Sequence, residues 1–348
     1  SIYLQPKIGE DMALLKGIGK AVLEMKLEDQ DFISRYSEGF DVFQKDLRAL
    51  SWQDIVDRTG VAKETIIVAA KAYANAKSAV FAWGMGVTHH THGVENVETI
   101  ASLALLRGMI GRPGAGLLPL RGHSNVQGVG SVGVKPVLAE DVILRLEKAY
   151  NVRLPTRVGM DTMASMQAAA RDEIDAAVIM GGNLYAANPN SAWARDALNR
   201  IDFKLFLTTT LNQGHFHGVE DGDVVILPVT ARDEEWEPTT QESMFNYVRL
   251  SDGGFERIPD LLSEVEIVSR IAAGVIEKEV LDFSGFSRHQ TIRQTIARVV
   301  PGFSKLADID RSKREFHIEG RHLSRPDFKT TDVVLTMEFV AADDDAQR

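Results

Sequence analysis

Apolar residues along this chain recur at two different periods, and the change of period marks out its elements. Across 11–25, Leu14, Leu15, Ile18, Val22 and Leu23 fall at helical spacing and make one apolar stripe. Ser51-Trp52-Gln53-Asp54 reads as a capping box that opens a short helix closed at Gly60. The alanine-rich, amphipathic stretch 62–76 is a helix by propensity and pattern together. A further helix is predicted over 95–109, with an acid in its first turn and Arg107 in its last, both suited to the helix dipole. Another is predicted over 262–276.

Between these helices lie short apolar runs of strand type. The run 79–83 leads into Gly84-Met85-Gly86, and 175–180 leads into Gly181-Gly182-Asn183. A helix over 191–200 separates the second run from a strand over 204–209, and a third strand over 223–227 is closed by Pro228. Strand, turn, helix, strand in this order predicts an α/β fold with mostly parallel sheets and helices on both faces. Ligands of such sheets sit beyond the carboxyl ends of the strands, where Gly84, Gly181 and Thr208-Thr209 would lie. The polar stretch 232–254 has few periodic apolar positions and reads as a long excursion over the surface or a cofactor. The acidic end, 341–348, reads as frayed. There is no fixed-period repeat and no low-complexity segment.

Composition narrows the chemistry. The 348 residues suffice for two or three domains. A net charge of -10, without a basic arm, argues against a nucleic-acid surface. The apolar runs are too short and interrupted to span a bilayer. With no cysteine, disulfides and cysteine-held zinc or iron–sulfur sites within these residues are excluded. The start at Ser1-Ile2-Tyr3-Leu4 shows no signal pattern and reads as the middle of a larger protein, expected in the cytoplasm.

The densest candidate for chemistry runs from Gly111-Arg112-Pro113-Gly114-Ala115-Gly116 to Arg121-Gly122-His123-Ser124-Asn125-Val126-Gln127-Gly128. It reads either as a polar pocket, with bare backbone N–H groups for an anion and Arg121 as a bidentate cation, or as a structural loop of tight turns. His89, His90 and His92, with His215 and His217, suggest a metal site, but adjacent histidines point to opposite sides of a regular element. Hydrogen-bonding loop histidines are the better reading. No nucleophile elbow, Walker loop or dinucleotide fingerprint occurs. Asn183, at a strand end, would either read a nucleobase edge or cap its own turn.

Taken as a linked set, Trp83-Gly84-Met85-Gly86-Val87-Thr88, Leu103 through Gly116, Arg121-Gly122-x-x-Asn125-Val126-Gln127-Gly128, Val178-Ile179-Met180-Gly181 and Val225-Ile226-Leu227-Pro228 resemble the molybdopterin oxidoreductases. The match is to the dimethyl sulfoxide reductase superfamily, in its formate-dehydrogenase-like branch. The resemblance covers roughly 9–227 and implies the two central domains of that fold. It implies bis-molybdopterin guanine dinucleotide carrying molybdenum or tungsten, a two-electron oxidoreductase reaction, and a small oxyanion substrate. Arg121 and His123 become the implied catalytic pair, Arg121 holding the anion and His123 relaying a proton. Gly84, Met85, Gly86, His89 and Gly122 are implied contacts of a pterin. Gly181, Gly182, Asn183, Thr208, Thr210 and Asn212 are implied contacts of a guanosine diphosphate arm.

Formate dehydrogenases carry Gln at the positions of His89 and His123 and Asn at that of Ser124. The RGHSNVQG form instead looks like a paralogous group of unsettled substrate. The family's iron–sulfur segment, its metal-ligating Cys or selenocysteine and its carboxyl-terminal barrel have no counterpart in these residues. A 4Fe-4S cluster is therefore expected only in segments outside them. The remaining domains of the same polypeptide, or an electron-transfer partner, are the expected partners. The expected division is 1–123 as part of an α/β cofactor-binding domain, 124–265 as a second α/β domain for the guanine dinucleotide arm, and 266–348 as a helical linker with an extended tail. Two functions follow: part of a working oxidoreductase, or a non-catalytic cofactor-binding or structural fragment.

Overall fold

The computed structural model describes residues 1–135 and 137–318, together with the backbone of 335 and 336. The expected tail at 341–348 lies outside the described residues. The described chain forms two compact units, one of Ser1–Ser124 with the strand Leu335–Thr336, the other of 125–135 and 137–318.

The first unit opens with α1 (Asp11–Glu24), α2 (Gln30–Tyr36), the two-residue strand β1 (Ser37–Glu38), α3 (Phe40–Ala49), α4 (Trp52–Thr59) and α5 (Lys63–Asn75). Next come β2 (Val80–Trp83), the single turn α6 (Met85–Thr88), α7 (Gly93–Leu106) and β3 (Gly116–Pro119). The predicted apolar stripe explains why α1 is central. Its Ala21, Val22 and Leu23 meet Phe43 and Leu47 of α3, Ala70 and Ala74 of α5, and Leu103 and Leu106 of α7. Leu14 joins Ile55, Val61 and Ile66 in an adjoining cluster. Each large side chain so buried contributes about 1.5–3 kcal/mol. The Ser51 Oγ accepts from the N–H groups of Gln53 (3.1 Å) and Asp54 (3.4 Å), and Gly60 closes α4 in the left-handed conformation. Ser51 thus caps alone, without the reciprocal box the sequence suggested. Arg107 falls just beyond α7 rather than in its last turn, and its guanidinium donates to the Ala74 carbonyl at 2.7 Å, tying α7 to α5.

β2 and β3 pair in parallel, Val80 with Gly116 through Trp83 with Pro119, and α6 and α7 form the crossover between them. β3 was not predicted: its four residues sit in a glycine- and proline-rich loop and carry no period of their own.

The second unit holds α8 (Val126–Ser131), α9 (Glu140–Tyr150), α10 (Thr162–Ala170), β4 (Ala176–Met180), α11 (Ser191–Asn199), β5 (Phe203–Thr208) and β6 (Asp223–Pro228). These are followed by β7 (Thr239–Ser243), β8 (Tyr247–Ser251), α12 (Glu264–Val275), α13 (His289–Val299), α14 (Ile309–Ser312) and β9 (Phe316–His317). The order β4-β5-β6 is parallel throughout, as predicted. Met166 and Ala169 of α10 and Ala194, Ala197 and Leu198 of α11 cover the Ala177 face, while Ile267 of α12 packs with Leu205 and Leu207 on the other. Helices therefore lie on both faces. Lys204 is completely buried, and its Nζ donates to the carbonyls of Leu198 (3.2 Å), Ile201 (2.7 Å) and Asp221 (2.8 Å).

The polar stretch 232–254, read from the sequence as a long excursion over the surface or a cofactor, contains the antiparallel hairpin β7–β8, extended by β9. Its strands, TTQES and YVRLS, show no clean alternation of apolar and polar residues. What fixes them is cross-strand pairing and the burial of Val248 against Val299, Phe303, Leu306 and Phe316, all distant in sequence.

Candidate functional site

In the first unit the predicted site residues gather at one end of the β2–β3 pair. The strands run parallel and end in register at Trp83 and Pro119, and the Leu120 N–H donates to the Trp83 carbonyl at 2.8 Å. The chain leaves one strand as Gly84-Met85-Gly86 and the other as Arg121-Gly122-His123. All six of these residues are exposed, as is His89. Gly84 caps α6, and the His89 N–H closes that turn on the Met85 carbonyl at 2.8 Å. Arg121 and His123 thus follow the strand that ends in register with the one leading into the glycine turn.

Two residues that sequence reasoning missed hold this turn. The Asn96 side chain, 2% exposed, donates from Nδ2 to the Val87 carbonyl at 2.9 Å. A Cβ added to Gly93 would lie 2.2 Å from the Thr88 carbonyl oxygen, so only glycine lets the turn approach α7 so closely. The sequence carried one faint signal, a polar Asn at helical spacing from Ile100 and Leu103 on a predicted helix.

In the second unit the predicted residues gather at the carboxyl ends of β4 and β5. The Gly181 N–H donates to the Leu207 carbonyl at 2.8 Å, and Gly181 and Gly182 follow with φ of +63° and +75°, a conformation L side chains rarely adopt. Asn183 caps its own turn, its Oδ1 accepting from the Ala186 N–H at 2.9 Å. The Thr208 hydroxyl, at the end of β5, donates to the Thr210 carbonyl at 2.7 Å. Asn212 closes the cluster, Nδ2 donating to the Gly182 carbonyl and Oδ1 accepting from the Gly214 N–H, each at 2.9 Å. His215, read from the sequence as a hydrogen-bonding loop histidine, is buried here, and its Nδ1 accepts from the Asn212 N–H at 2.9 Å. That bond requires the lone pair on Nδ1, so the proton of the neutral ring sits on Nε2. The side chain of Tyr185 lies against His217, with ring centroids 4.5 Å apart.

Not every polar residue of the glycine-rich loop serves this end. The Asn125 Oδ1 accepts from the Glu242 N–H (2.9 Å), while Gln127 Nε2 donates to Glu242 Oε1 (2.8 Å) and Asn246 Oδ1 (2.9 Å). For these amides the structural reading of the loop holds: they fasten α8 to the β7–β8 hairpin. The histidines form no metal centre: His90 faces Asp11 at 3.8 Å and His92 faces Glu95 at 3.9 Å. Among the described residues no group of three or more His, Asp or Glu is placed to hold a metal ion. No helix among them is long and apolar enough to cross a membrane.

These features can be set against known proteins. A family model described as molybdopterin oxidoreductase matches residues 2–241. Protein YdeP of Escherichia coli K12 is 33% identical over 341 residues, covering 93% of this chain and 44% of YdeP. Formate dehydrogenase H of the same organism is 33% identical over 291 residues, covering 78% of this chain and 38% of that enzyme. An uncharacterized oxidoreductase of Mycobacterium tuberculosis H37Rv is 30% identical over 315 residues, covering 86% of this chain and 40% of the relative. The chain therefore spans less than half the length of these relatives. Among solved structures, acetylene hydratase from Pelobacter acetylenicus superposes with a TM-score of 0.66 at 14% identity, covering 92% of this chain and 46% of the hydratase. That last likeness is one of fold.

Proposed function

Because this chain belongs to the molybdopterin oxidoreductase family, we propose that it is the cofactor-binding part of a two-electron oxidoreductase acting on a small, formate-like oxyanion. Its cofactor in this reading is bis-molybdopterin guanine dinucleotide with molybdenum or tungsten. The observation that carries the proposal is the state of the strand ends. A Cβ added at Gly84, Gly86, Gly122, Gly181 or Gly182 meets nothing within 4 Å, so bare backbone faces open space at both clusters. Each cluster, taken by itself, offers bare backbone to an anionic group, with neutral Asn and Thr side chains beside it in the second unit.

When bound, the cofactor supplies the two-electron redox chemistry of its metal. The chain's own residues bind and orient. Gly84, Met85, Gly86, His89 and Gly122 hold a pterin; Gly181, Gly182, Asn183, Thr208, Thr210 and Asn212 hold a guanosine diphosphate arm. Arg121 fixes the substrate anion through its two-pronged guanidinium. His123, two residues on, accepts or delivers a proton at an imidazole nitrogen. In this reading 1–123 and 124–265 are the two cofactor-binding domains, and 266–348 leads towards further domains of a cytoplasmic protein. Electrons pass to those domains or to a partner, where any 4Fe-4S cluster would reside.

The test begins with metal analysis and pterin fluorescence on the full-length protein, purified from cells that make the cofactor. Stoichiometric metal and pterin are expected; their absence removes the reading. Arg121→Ala is then expected to keep its metal while losing roughly 100-fold or more in turnover of the oxyanion. Full turnover in a metal-replete Arg121→Ala variant would strip Arg121 of its role.

A further inference from the structure

We propose that Asn96 is a positioning residue, held in the core of the first unit to set the 85–89 turn for the cofactor; the proposal rests on the reading above. Asn96 lies one turn into α7 and is 2% exposed, among apolar neighbours in sequence such as Val97 and Ile100. Its Nδ2 donates to the Val87 carbonyl in the middle of α6 at 2.9 Å. Its Oδ1 is buried without a hydrogen-bond partner among the described residues. An unpaired buried carbonyl costs free energy, whereas an apolar side chain of the same size would not. As a core residue, then, Asn96 is a poor choice. Its one gain is its grip on Val87.

That grip falls where the site needs it. Val87 lies between Met85-Gly86 and His89, and the α6 turn contains few bonds of its own, chiefly the Met85 carbonyl receiving the His89 N–H and the Thr88 hydroxyl. A four-residue helix has no stability by itself. Gly93 supplies the close approach of the turn to α7, its Cα facing the Thr88 carbonyl, and Asn96 supplies the directional bond that fixes the distance. The residues assigned to the pterin are thereby set on α7, whose Leu103 and Leu106 belong to the main core. Holding a loop in its bound geometry before the ligand arrives removes an ordering cost from binding.

Asn96→Leu keeps the branched four-atom side chain, deletes the donor and removes the unpaired oxygen. Hydrogen exchange is measured on full-length protein in cofactor-free form, and pterin and metal retention after extended dialysis on protein made in cofactor-competent cells. Thr99→Val, which removes a buried hydroxyl of α7 that donates to the Glu95 carbonyl of the same helix, serves as the control. The expected result is a melting temperature for Asn96→Leu equal to or above that of the parent protein. With it should come at least tenfold faster exchange at 87–89 and at least tenfold lower cofactor retention, with Thr99→Val unchanged in both. Unchanged exchange at 87–89, or full retention despite faster exchange, would overturn the proposal. So would a melting temperature that falls in step with retention, since Asn96 would then be a stability residue. Exchange is read without cofactor, so it remains decisive even if the parent protein proves to bind no pterin, an outcome that removes the functional reading alone.

Discussion

Lys16 shows how burial rewrites the chemistry of one side chain. α1 carries it into the first unit at 8% exposure, where loss of hydration, reinforced by the Arg58 guanidinium and opposed by Asp46, pulls its ammonium from 10.5 down to about 8. Between those two values the unfolded chain binds more protons than the folded one, so stability rises with pH across that window and is flat below it. Lys16→Met should therefore be the more stable protein at pH 7, by about 1–2 kcal/mol after allowance for residual solvent, and should lose the rise. Urea unfolding of both proteins at pH 7 and pH 9.5 measures it; parallel slopes would place the alkaline gain on another group. Lys204 shares the burial, which likewise lowers its pKa, yet it spends its protons on three backbone carbonyls that tie the end of α11 to β5 and the turn before β6. Neither lysine was legible in the sequence. Pattern reading assigns a lysine to solvent by default, and only the surrounding packing shows that these two are buried.

Periodic elements were legible because their signals are local. The stripe of α1, the cap and closing glycine of α4, and the apolar runs of β2, β4, β5 and β6 follow from residues within one turn or one strand. The same holds for the glycine turns that the parallel strands present, which is why the clusters at Gly84 and Gly181 could be named in advance. The hairpin β7–β8 could not, since its fasteners come from elsewhere: Asn125 and Gln127 bind Glu242 and Asn246 across more than 110 positions of chain. Those amides looked like ligand groups because sequence records their polarity and not their partner. The geometry makes a definite expectation. Gln127→Leu removes both donated bonds and should cost about 1–3 kcal/mol, with amide exchange accelerating across 239–251 and the parallel sheet β4-β5-β6 keeping its protection. Equal protection of the hairpin in variant and parent would mean that Val248, packed on Phe303 and Leu306, holds it alone.

At the scale of the whole molecule, the chain spans 44% of one relative and 38% of another, and one of its sheets has open edges. Among the described residues β4 and β6 each pair only with β5, leaving both outer edges of that sheet without a strand neighbour. Val178, Leu205 and Val225 lie side by side in register, and while Leu205 is buried under α12's side of the sheet, Val178 is 53% and Val225 39% exposed. Met180, on the same face as Val178, is 51% exposed. Free edges beside exposed apolar residues are a template for association between chains. The 348-residue segment produced alone should therefore self-associate as its concentration rises and bind a hydrophobic dye, while the full-length protein at equal concentration should do neither. Val178→Lys should suppress association of the segment, because the added charge sits on the exposed face and the interior contacts of β5 are untouched. Sedimentation velocity over a concentration series reads the outcome. A segment that stays monomeric at high concentration would mean that this sheet is finished as it stands, and that the missing half of the relatives' length packs somewhere else.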